Sequence, residues 1–295
     1  MKRIEIHEEI IAHSEWDGLL AGHNAALQQY WAYGQIAARQ GARVERASLW
    51  QGGVPVAVAQ ILRRRGMAVV MRGPVWLMAA GPELHRAGLR ALARRHLCLL
   101  ATPENAVSGW GVVPLITPRY QAVLDLRPDL PTLRARLAGT WRNRVSHAQK
   151  AGLRVMALDG PKDWRWLIDA EKRQRAQRKY RALPVGFVDA WAGAEPGGVR
   201  ALQVVHDGAA LAGMVFLRHG DGVSYHLGWS GVEGRAVSAH NLLLWHAIEQ
   251  LKAEGAQWLD LGDVNHDRAP GLAHFKLGTG AQAKPLGATA ILLPS

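Results

Sequence analysis

The sequence predicts a mixed α/β (α+β) fold built from two similar modules in tandem. With 295 residues the chain has room for two domains of about 150 residues, each large enough to bury a core. Its 48% hydrophobic and 20% charged residues are typical of a folded protein. The order helix, hairpin, strand, helix, strand occurs once in each half, which predicts two modules of similar size.

In the first half, the clearest helix signal covers residues 23–40. Leu27, Trp31 and Ile36 would share one face of this helix, and Gly41 is a natural residue to follow its end. The other elements expected in this half are strands at 44–50, 54–62, 67–71 and 121–126, a glycine hairpin turn at 51–53, and a helix at 82–100.

The second half repeats this order, and its clearest helix covers residues 239–253, where leucines form an apolar stripe. We expect one module over residues 1–140 and a second over 141–295, with the C-terminal strand returning to the first module. A helix at 130–151 and a strand at 153–158 are expected before this half begins, and its other elements are a helix at 162–180 and strands at 199–205, 210–217, 223–229 and 258–261.

The stretch after the last of these strands is the most informative in the chain. A polar loop at 263–268 is followed by a glycine-rich loop, 271–280, which contains Phe275 and Lys276. A lysine beside an aromatic residue and three glycines, just past a strand end, is placed to meet an anionic or acyl ligand.

Positive charge is concentrated in one segment. The formal net charge is +12, and residues 134–181 contain 14 basic and four acidic residues. Such an excess attracts polyanions over about one Debye length, which favours RNA, a nucleotide-linked substrate or an anionic membrane surface as partner. A solvated, arginine-rich surface is the alternative explanation. The sequence does not identify a stable protein partner.

Composition excludes several classes of protein. Cys98 is the only cysteine, so disulfides within the chain and cysteine-rich metal sites are ruled out. His266 and His274 lack a third ligand at a recognisable interval, so we expect no metal. We also expect no bound cofactor, because the group donor would be a co-substrate. No apolar run reaches the length of a membrane span and the N terminus lacks a signal-peptide pattern, so we expect the chain in the cytoplasm.

Four segments of the chain resemble one family. They are Leu27-Gln28-Gln29-Tyr30-Trp31; Arg72-Gly73-Pro74-Val75; Trp141-Arg142-Asn143-Arg144 with Ala148-Gln149-Lys150-Ala151-Gly152-Leu153; and Leu259-Asp260-Leu261-Gly262 followed by Phe275-Lys276 and Gly278. With them the chain resembles the FemABX-type aminoacyl-tRNA-dependent peptidyltransferases, whose hallmark is a tandem pair of GNAT acyltransferase modules. The resemblance implies two such modules, each a mixed, mostly antiparallel sheet flanked by helices.

The resemblance also implies roles for individual residues. In this family an amine attacks the ester carbonyl of an aminoacyl-tRNA; Lys276 would stabilise the oxyanion and Phe275 would stack on a base or ribose. Asp263 and His240 are the candidate catalytic residues that would accept a proton, while the family itself needs no dedicated base. The other candidate substrate-binding residues are Arg72, Arg178, Lys179, Arg235, Ser238 and Asn265.

The segment before helix 239–253 argues against acyl-CoA as donor. GNAT enzymes bind the pyrophosphate of CoA on a loop of the pattern Gln/Arg-x-x-Gly-x-Gly/Ala at a helix start. Beginning that pattern at Arg235 puts Ser238 and His240 where small residues are required. Their side chains hinder close approach to the backbone, although Arg235, Ser238 and the helix start still favour another phosphate.

Three functions are consistent with the sequence. The first is a transferase that moves an aminoacyl group from tRNA to an amine of a peptidoglycan precursor, a peptide or a small metabolite. The second is a GNAT-like N-acyltransferase that uses acyl-CoA or an acyl carrier protein, and the third is a non-catalytic protein that binds RNA or a membrane surface. The basic segment and the altered pyrophosphate loop favour the first over the second. The Phe275-Lys276 pair favours an enzyme over the third.

Overall fold

The computed structural model describes residues 3–96, 98–178, 183–184, 186–264 and 270–294. The chain forms two compact units, of which unit 1 comprises Met1–Gln121 with Lys284–Ser295 and unit 2 comprises Ala122–Ala283. The expected boundary at 140/141 falls inside unit 2, because Leu124, Leu126 and Leu133 are buried in the core of that unit.

Strands and helices follow one another along the whole described chain. The strands are β1 (Ile4–Glu8), β2 (Arg43–Gln51), β3 (Val54–Arg64), β4 (Met67–Met71), β5 (Val75–Trp76), β6 (Leu99–Thr102), β7 (Val112–Ile116), β8 (Tyr120–Asp125), β9 (Arg154–Leu158), β10 (Val199–His206), β11 (Ala209–His219), β12 (Gly222–Ser230), β13 (Trp258–Asp263), β14 (Gln282–Pro285) and β15 (Thr289–Leu292). The helices are α1 (His13–Leu20), α2 (Trp31–Arg39), α3 (Pro82–His96), α4 (Leu130–Arg136), α5 (Gly139–Lys150), α6 (Pro161–Arg178), α7 (Phe187–Ala194), α8 (Val232–Ala236), α9 (Ala239–Ala253) and α10 (Pro270–Leu277). Within the described residues, every helix is too short or too polar to cross a bilayer.

Unit 1 is built around one mixed sheet. Its described strands lie in the order β1-β2-β3-β4-β6-β15-β7, and β5 also pairs with β3. Neighbouring strands run antiparallel except β4 and β6, which are parallel. Helix α3 buries Leu89 and Leu92 in the same core as Leu49, Ile61 and Leu292. The last strand of the chain therefore completes the first sheet, between β6 and β7.

Unit 2 contains the second sheet. Its described strands lie in the order β14-β8-β13-β12-β11-β10-β9. The strands from β9 to β12 are antiparallel neighbours, whereas β12 and β13 run parallel. Helix α9 buries Leu243, Leu244 and Ile248 in the core of this unit, to which the sheet contributes Phe216 and Leu259. The predicted fold class, mixed sheets flanked by helices, is thereby confirmed.

Three predicted helices differ from those observed. The first begins at Trp31 because Tyr30 has extended backbone and only a short 3₁₀ turn, Leu27–Gln29, precedes it. The second ends at His96, and residues 99–102 form β6 instead. The helix predicted at 130–151 is divided into α4 and α5 at Leu137 and Ala138, both of extended conformation.

Candidate functional site

The candidate site in unit 2 lies where two parallel strands separate. β12 and β13 pair from Gly222 opposite Trp258 to Ser224 opposite Asp260. Beyond these residues β12 continues to Ser230, and no further pairing with β13 occurs among the residues that the structure describes. Beyond Ser224 and Asp260, the described backbone N–H and C=O groups of the two strands are therefore not hydrogen-bonded to each other.

Gly262 lies near the end of β13 and close to Lys276 of α10, since a Cβ there would lie 3.4 Å from the Lys276 Nζ. Its φ of +82° lies in the left-handed region, which favours glycine. The Gly262 amide donates to the Asp260 carboxylate at 2.7 Å. The carbonyl of the next residue, Asp263, accepts a hydrogen bond from the Nζ of Lys276 at 2.8 Å. Lys276 is thus hydrogen-bonded to the end of β13.

Phe275 and Lys276 lie on a helix, so the expectation of a loop over 271–280 is wrong for most of that segment. α10 begins at Pro270, whose fixed φ and missing N–H suit the first turn of a helix. Successive helical residues point about 100° apart, so the two side chains have different surroundings. Lys276 is buried, with 6% of its surface exposed, whereas Phe275 is half-buried.

Helices α5 and α9 hold Phe275 in place. The Nε1 of Trp141 donates to the Phe275 carbonyl at 3.0 Å, and the two ring centroids are 6.0 Å apart. The ring of His240 lies 5.9 Å from that of Phe275. Gly278 permits this packing, since a Cβ there would lie 2.7 Å from the Trp141 Cδ1. Two of the segments noted in the sequence, around Trp141 and around Phe275, are therefore in contact.

Burial gives Lys276 an unusual proton affinity. Loss of hydration lowers the pKa of its ammonium group from 10.5 to about 8, while the carboxylates of Asp260 and Asp263 act in the opposite direction. At neutral pH the group is still mostly a cation, in surroundings where its charge is weakly screened. Such a cation can stabilise negative charge that develops within hydrogen-bonding reach.

His240 is neutral at neutral pH, because burial lowers its pKa to about 4. Its Nε2 lies 2.9 Å from the Trp229 carbonyl, and the Gly213 backbone is a second hydrogen-bond partner of the ring. The imidazole is therefore fixed beside Phe275 in the first turn of α9.

In the segment before α9, backbone amides are hydrogen-bonded to carbonyl groups of the same segment. Those of Arg235, Val237 and Ser238 donate to carbonyl groups three or four residues earlier, as part of α8 and the turn after it. Gly234 packs against β11, since a Cβ there would lie 2.3 Å from the Leu211 carbonyl oxygen. The amides of Arg235, Val237 and Ser238 are therefore not available to a pyrophosphate.

Arg235 and Ser238, both predicted to bind substrate, lie on this segment. The Arg235 guanidinium donates to the Ser230 carbonyl at 2.6 Å. Ser238 precedes α9 with a left-handed φ of +58°, and its side chain makes no capping hydrogen bond to the helix. Ser238 thus directly precedes the first turn of α9, whereas the Arg235 side chain is directed to the end of β12.

Arg72 lies in unit 1, at the turn after β4. Its amide donates to the Thr102 carbonyl at 2.8 Å, and its guanidinium pairs with the carboxylate of Glu104. The next residue, Gly73, allows the buried Gln29 to approach, since a Cβ there would lie 2.6 Å from the Gln29 Nε2. The segments around Gln29 and Arg72, separate in sequence, are therefore in contact within unit 1.

Three predicted site residues are not placed. Lys179 and Asn265 lie outside the described residues, and Arg178 is described only as the last residue of the α6 backbone. Among the predicted residues, those brought together are Lys276 with Asp263, and Phe275 with His240.

His226 is a residue of this region that sequence reasoning missed. The pairing of β11 with β12 skips it, so His226 is the extra residue of a β-bulge, two residues beyond the last pair of β12 with β13. Burial, aided by the charge of Arg175, lowers its pKa to about 4, and its ring packs on Phe187. No local pattern marks a bulge, so the sequence carried no signal for it.

The solvent-exposed surface of α5 is strongly basic. Arg142, Arg144 and Lys150 are exposed there and form what we call the α5 basic surface. Among the described residues none of the three takes part in an ion pair. No acidic residue occurs between positions 130 and 158. The opposite face of the helix buries Trp141, Val145 and Ala148.

Solved structures with a similar fold cover nearly the whole chain. The crystal structure of FemX has a TM-score of 0.76 at 16% identity and covers 95% of this chain and 96% of that one. The C-terminal domain of a provisionally named lysylphosphatidylglycerol synthetase from Agrobacterium fabrum has a TM-score of 0.57 at 13% identity, with coverages of 96% and 93%. A tandem GNAT protein from the clavulanic acid biosynthesis pathway has a TM-score of 0.53 at 15% identity, with coverages of 98% and 97%. At these identities the likeness establishes the tandem GNAT fold.

Similarity at the level of sequence comes from a family model. None of the curated proteins compared matches the chain. The model described as an acetyltransferase (GNAT) domain matches residues 135–282, which is half of the chain and includes α5, the β12–β13 separation and α10. The fold and this match together indicate an acyltransferase. The chain belongs to the GNAT acetyltransferase-domain family.

Proposed function

We propose that this acyltransferase takes an aminoacyl group from an aminoacyl-tRNA and transfers it to an amine. The observation that carries the proposal is the state of the segment before α9. Because the amides of Arg235, Val237 and Ser238 are bonded within that segment, they are not available to the pyrophosphate of CoA. A donor that needs no such loop fits this chain better.

The proposed reaction uses Lys276 for electrostatic stabilisation. The acceptor amine attacks the ester carbonyl carbon, a C–N bond forms, and negative charge develops on the carbonyl oxygen, where the buried ammonium group stabilises it. The ester C–O bond then breaks, and the proton of the amine passes to the departing ribose oxygen. This sequence is balanced without a protein nucleophile, and holding the two reactants together supplies much of the acceleration.

The α5 basic surface supports a polyanionic donor. Its cations face solvent on a helix whose opposite side is anchored in the core of unit 2. Trp141, on that buried side, donates a hydrogen bond to the Phe275 carbonyl. The basic helix α5 is therefore in direct contact with the helix that carries Phe275 and Lys276. We propose that tRNA phosphates lie along α5 while the charged 3′ end reaches Lys276.

A second candidate is an N-acyltransferase that uses acyl-CoA or an acyl carrier protein. The description of the matching family model, an acetyltransferase domain, favours it. For the acceptor, a peptidoglycan precursor, a peptide and a small metabolite all present the required amine. The likeness of FemX and the clavulanic acid pathway protein to this chain is a likeness of fold, and it does not decide between these acceptors.

The donor is tested by incubating the full chain with a pool of charged tRNAs and, separately, with acyl-CoAs, each with an amine pool. We expect amine-dependent loss of the aminoacyl group from tRNA, reduced about 100-fold or more by Lys276→Ala. Lys284→Ala, which removes an exposed lysine of β14, is the matched control and should retain full activity. Turnover of acyl-CoA with inert charged tRNA would overturn the proposal in favour of the second candidate.

A further inference from the structure

Unit 1 exposes a group of large apolar side chains at one edge of its sheet. We call this group the β7 patch; its members and their exposed fractions are Trp110 83%, Val113 43%, Leu115 54%, Ile116 47% and Leu293 46%. Single exposed apolar residues are ordinary, but a contiguous set marks a surface that meets an apolar partner.

The members of the β7 patch are neighbours in space. β7 lies at the end of the strand order, and among the described strands it pairs only with β15. Leu293 directly follows β15, and its amide donates to the Gly111 carbonyl at 2.9 Å, next to Trp110. Pro114 has no N–H to offer at this edge, which disfavours extension of the sheet by a second copy of the chain.

A row of arginines flanks the patch. Arg86, Arg90 and Arg94 are spaced four residues apart on α3 and therefore share one face of that helix. The Arg86 guanidinium donates to the Ser108 carbonyl at 3.4 Å, and a Cβ on Gly111 would lie 3.2 Å from the Nε of Arg90. Arg86 and Arg90 of the row thus lie beside the turn that presents Trp110. Residues 81–119 contain five arginines and two glutamates, and one of the two, Glu104, is paired with Arg72.

We propose that the β7 patch and the arginine row dock unit 1 on an anionic lipid surface. An exposed tryptophan beside aliphatic residues and arginines is the composition that suits the boundary between headgroups and acyl chains. Arginines of the row would meet lipid phosphates, which adds an attraction that salt weakens. RNA fits less well, because it offers nothing apolar to Val113, Leu115, Ile116 and Leu293. This inference goes beyond the proposed transfer reaction and does not depend on it.

The test is flotation of the full chain with vesicles of phosphatidylcholine alone or mixed with phosphatidylglycerol. We expect binding to the mixed vesicles, weakened by salt, and a partition coefficient reduced about tenfold or more by Trp110→Ser. A second variant, Leu115→Ser, should act in the same direction, and Arg86→Gln with Arg90→Gln should abolish the preference for the anionic lipid. Val232→Ser, which removes a 76% exposed apolar residue from unit 2, is the matched control and should bind like the unaltered chain.

Other outcomes would overturn this inference. They are an unaltered chain that stays unbound, patch variants that bind vesicles as before, and patch variants that lose tRNA instead of vesicles. Light scattering that shows a dimer dissociated by Trp110→Ser would assign the β7 patch to self-association. Because both apolar substitutions lie at exposed positions, thermal unfolding should be unchanged, and this separates loss of docking from loss of fold.

Discussion

At the scale of single residues, Lys276 combines a cost in stability with the role in chemistry that we propose for it. A buried ammonium group loses its hydration, and one carbonyl with two nearby carboxylates replaces that hydration only in part, which is why its pKa falls to about 8. The same loss of water strengthens its attraction for an oxyanion. A residue that stabilises a transition state at the expense of the fold is typical of an active site.

This cost predicts that Lys276→Met stabilises the protein while it abolishes activity. Below pH 8 the lysine is protonated in both folded and unfolded chains, so the folded chain carries the whole cost of the buried charge. Between about pH 8 and 10.5 the folded form releases its proton first, so the stability of the unaltered protein rises with pH. At pH 7 we expect the variant to gain on the order of 2 kcal/mol in free energy of unfolding, and the gain should shrink over that interval. Denaturant titrations at several pH values measure it.

The control for this prediction is Lys150→Met, at an exposed position where no buried charge is removed. It should leave the free energy of unfolding nearly unchanged at every pH. A Lys276→Met protein that is less stable than the unaltered chain at pH 7 would contradict the prediction and show that the bond to Asp263 outweighs the desolvation.

At the scale of elements, α5 joins two features that lie far apart in sequence. Its buried side supports α10 through Trp141, and its exposed side carries the α5 basic surface. Helix α10 in turn depends on Gly278, which leaves space for the indole ring. The position of Lys276 is therefore set by a helix that begins some 130 residues earlier, as the numbering of α5 and α10 shows.

Replacement of Arg142, Arg144 and Lys150 by Gln should weaken tRNA binding. If each residue neutralises one phosphate, the slope of log K against log salt should fall by about two to three. Hydrolysis or transfer from a minimal aminoacyl ester should be unaffected, because Lys276 is untouched. Filter binding over a range of salt concentrations measures the slope.

The matched control removes the same charge from unit 1, at the exposed Arg39, Arg64 and Arg65. It should leave the slope unchanged. An equal loss of slope in both triple variants would mean that the attraction comes from net charge alone, and the α5 basic surface would then have no special role.

At the scale of the whole molecule, the C-terminal strand β15 belongs to the sheet of unit 1, after the chain has passed through unit 2. β15 lies between β6 and β7, so the first sheet is complete only after the second has been made. Its buried residues Ala290 and Leu292 belong to the core of unit 1.

This topology predicts that Leu292→Ala destabilises unit 1 although the residue follows the whole of unit 2. Loss of a fully buried leucine side chain should cost about 2–5 kcal/mol. Leu293→Ala, at the adjacent and 46% exposed position, is the matched control and should change little. Hydrogen exchange locates the effect, with faster exchange expected in β6 and β7. Equal loss of protection in β10 and β11 would contradict the prediction.

Much of the fold follows from local patterns. β4 and α9 are found at their predicted bounds, because strand composition between turns and a long leucine stripe are signals contained in one segment. The interruption between α4 and α5, in contrast, has no signal in the local sequence. It coincides with a hydrogen bond from the Ala138 amide to the carbonyl of Gly278, a residue distant in sequence.

The sequence by itself determined the types and order of the main elements, the two similar modules, the basic segment and the Phe275-Lys276 pair, because charge and periodicity are local properties. Only the tertiary structure decided that Lys276 is buried against the Asp263 carbonyl, that His226 occupies a bulge where β12 leaves β13, and that β7 presents an exposed apolar edge. Each of these depends on contacts between residues far apart in the chain. Such contacts leave no pattern in any one segment, and they determine how much water reaches a lysine or an apolar strand.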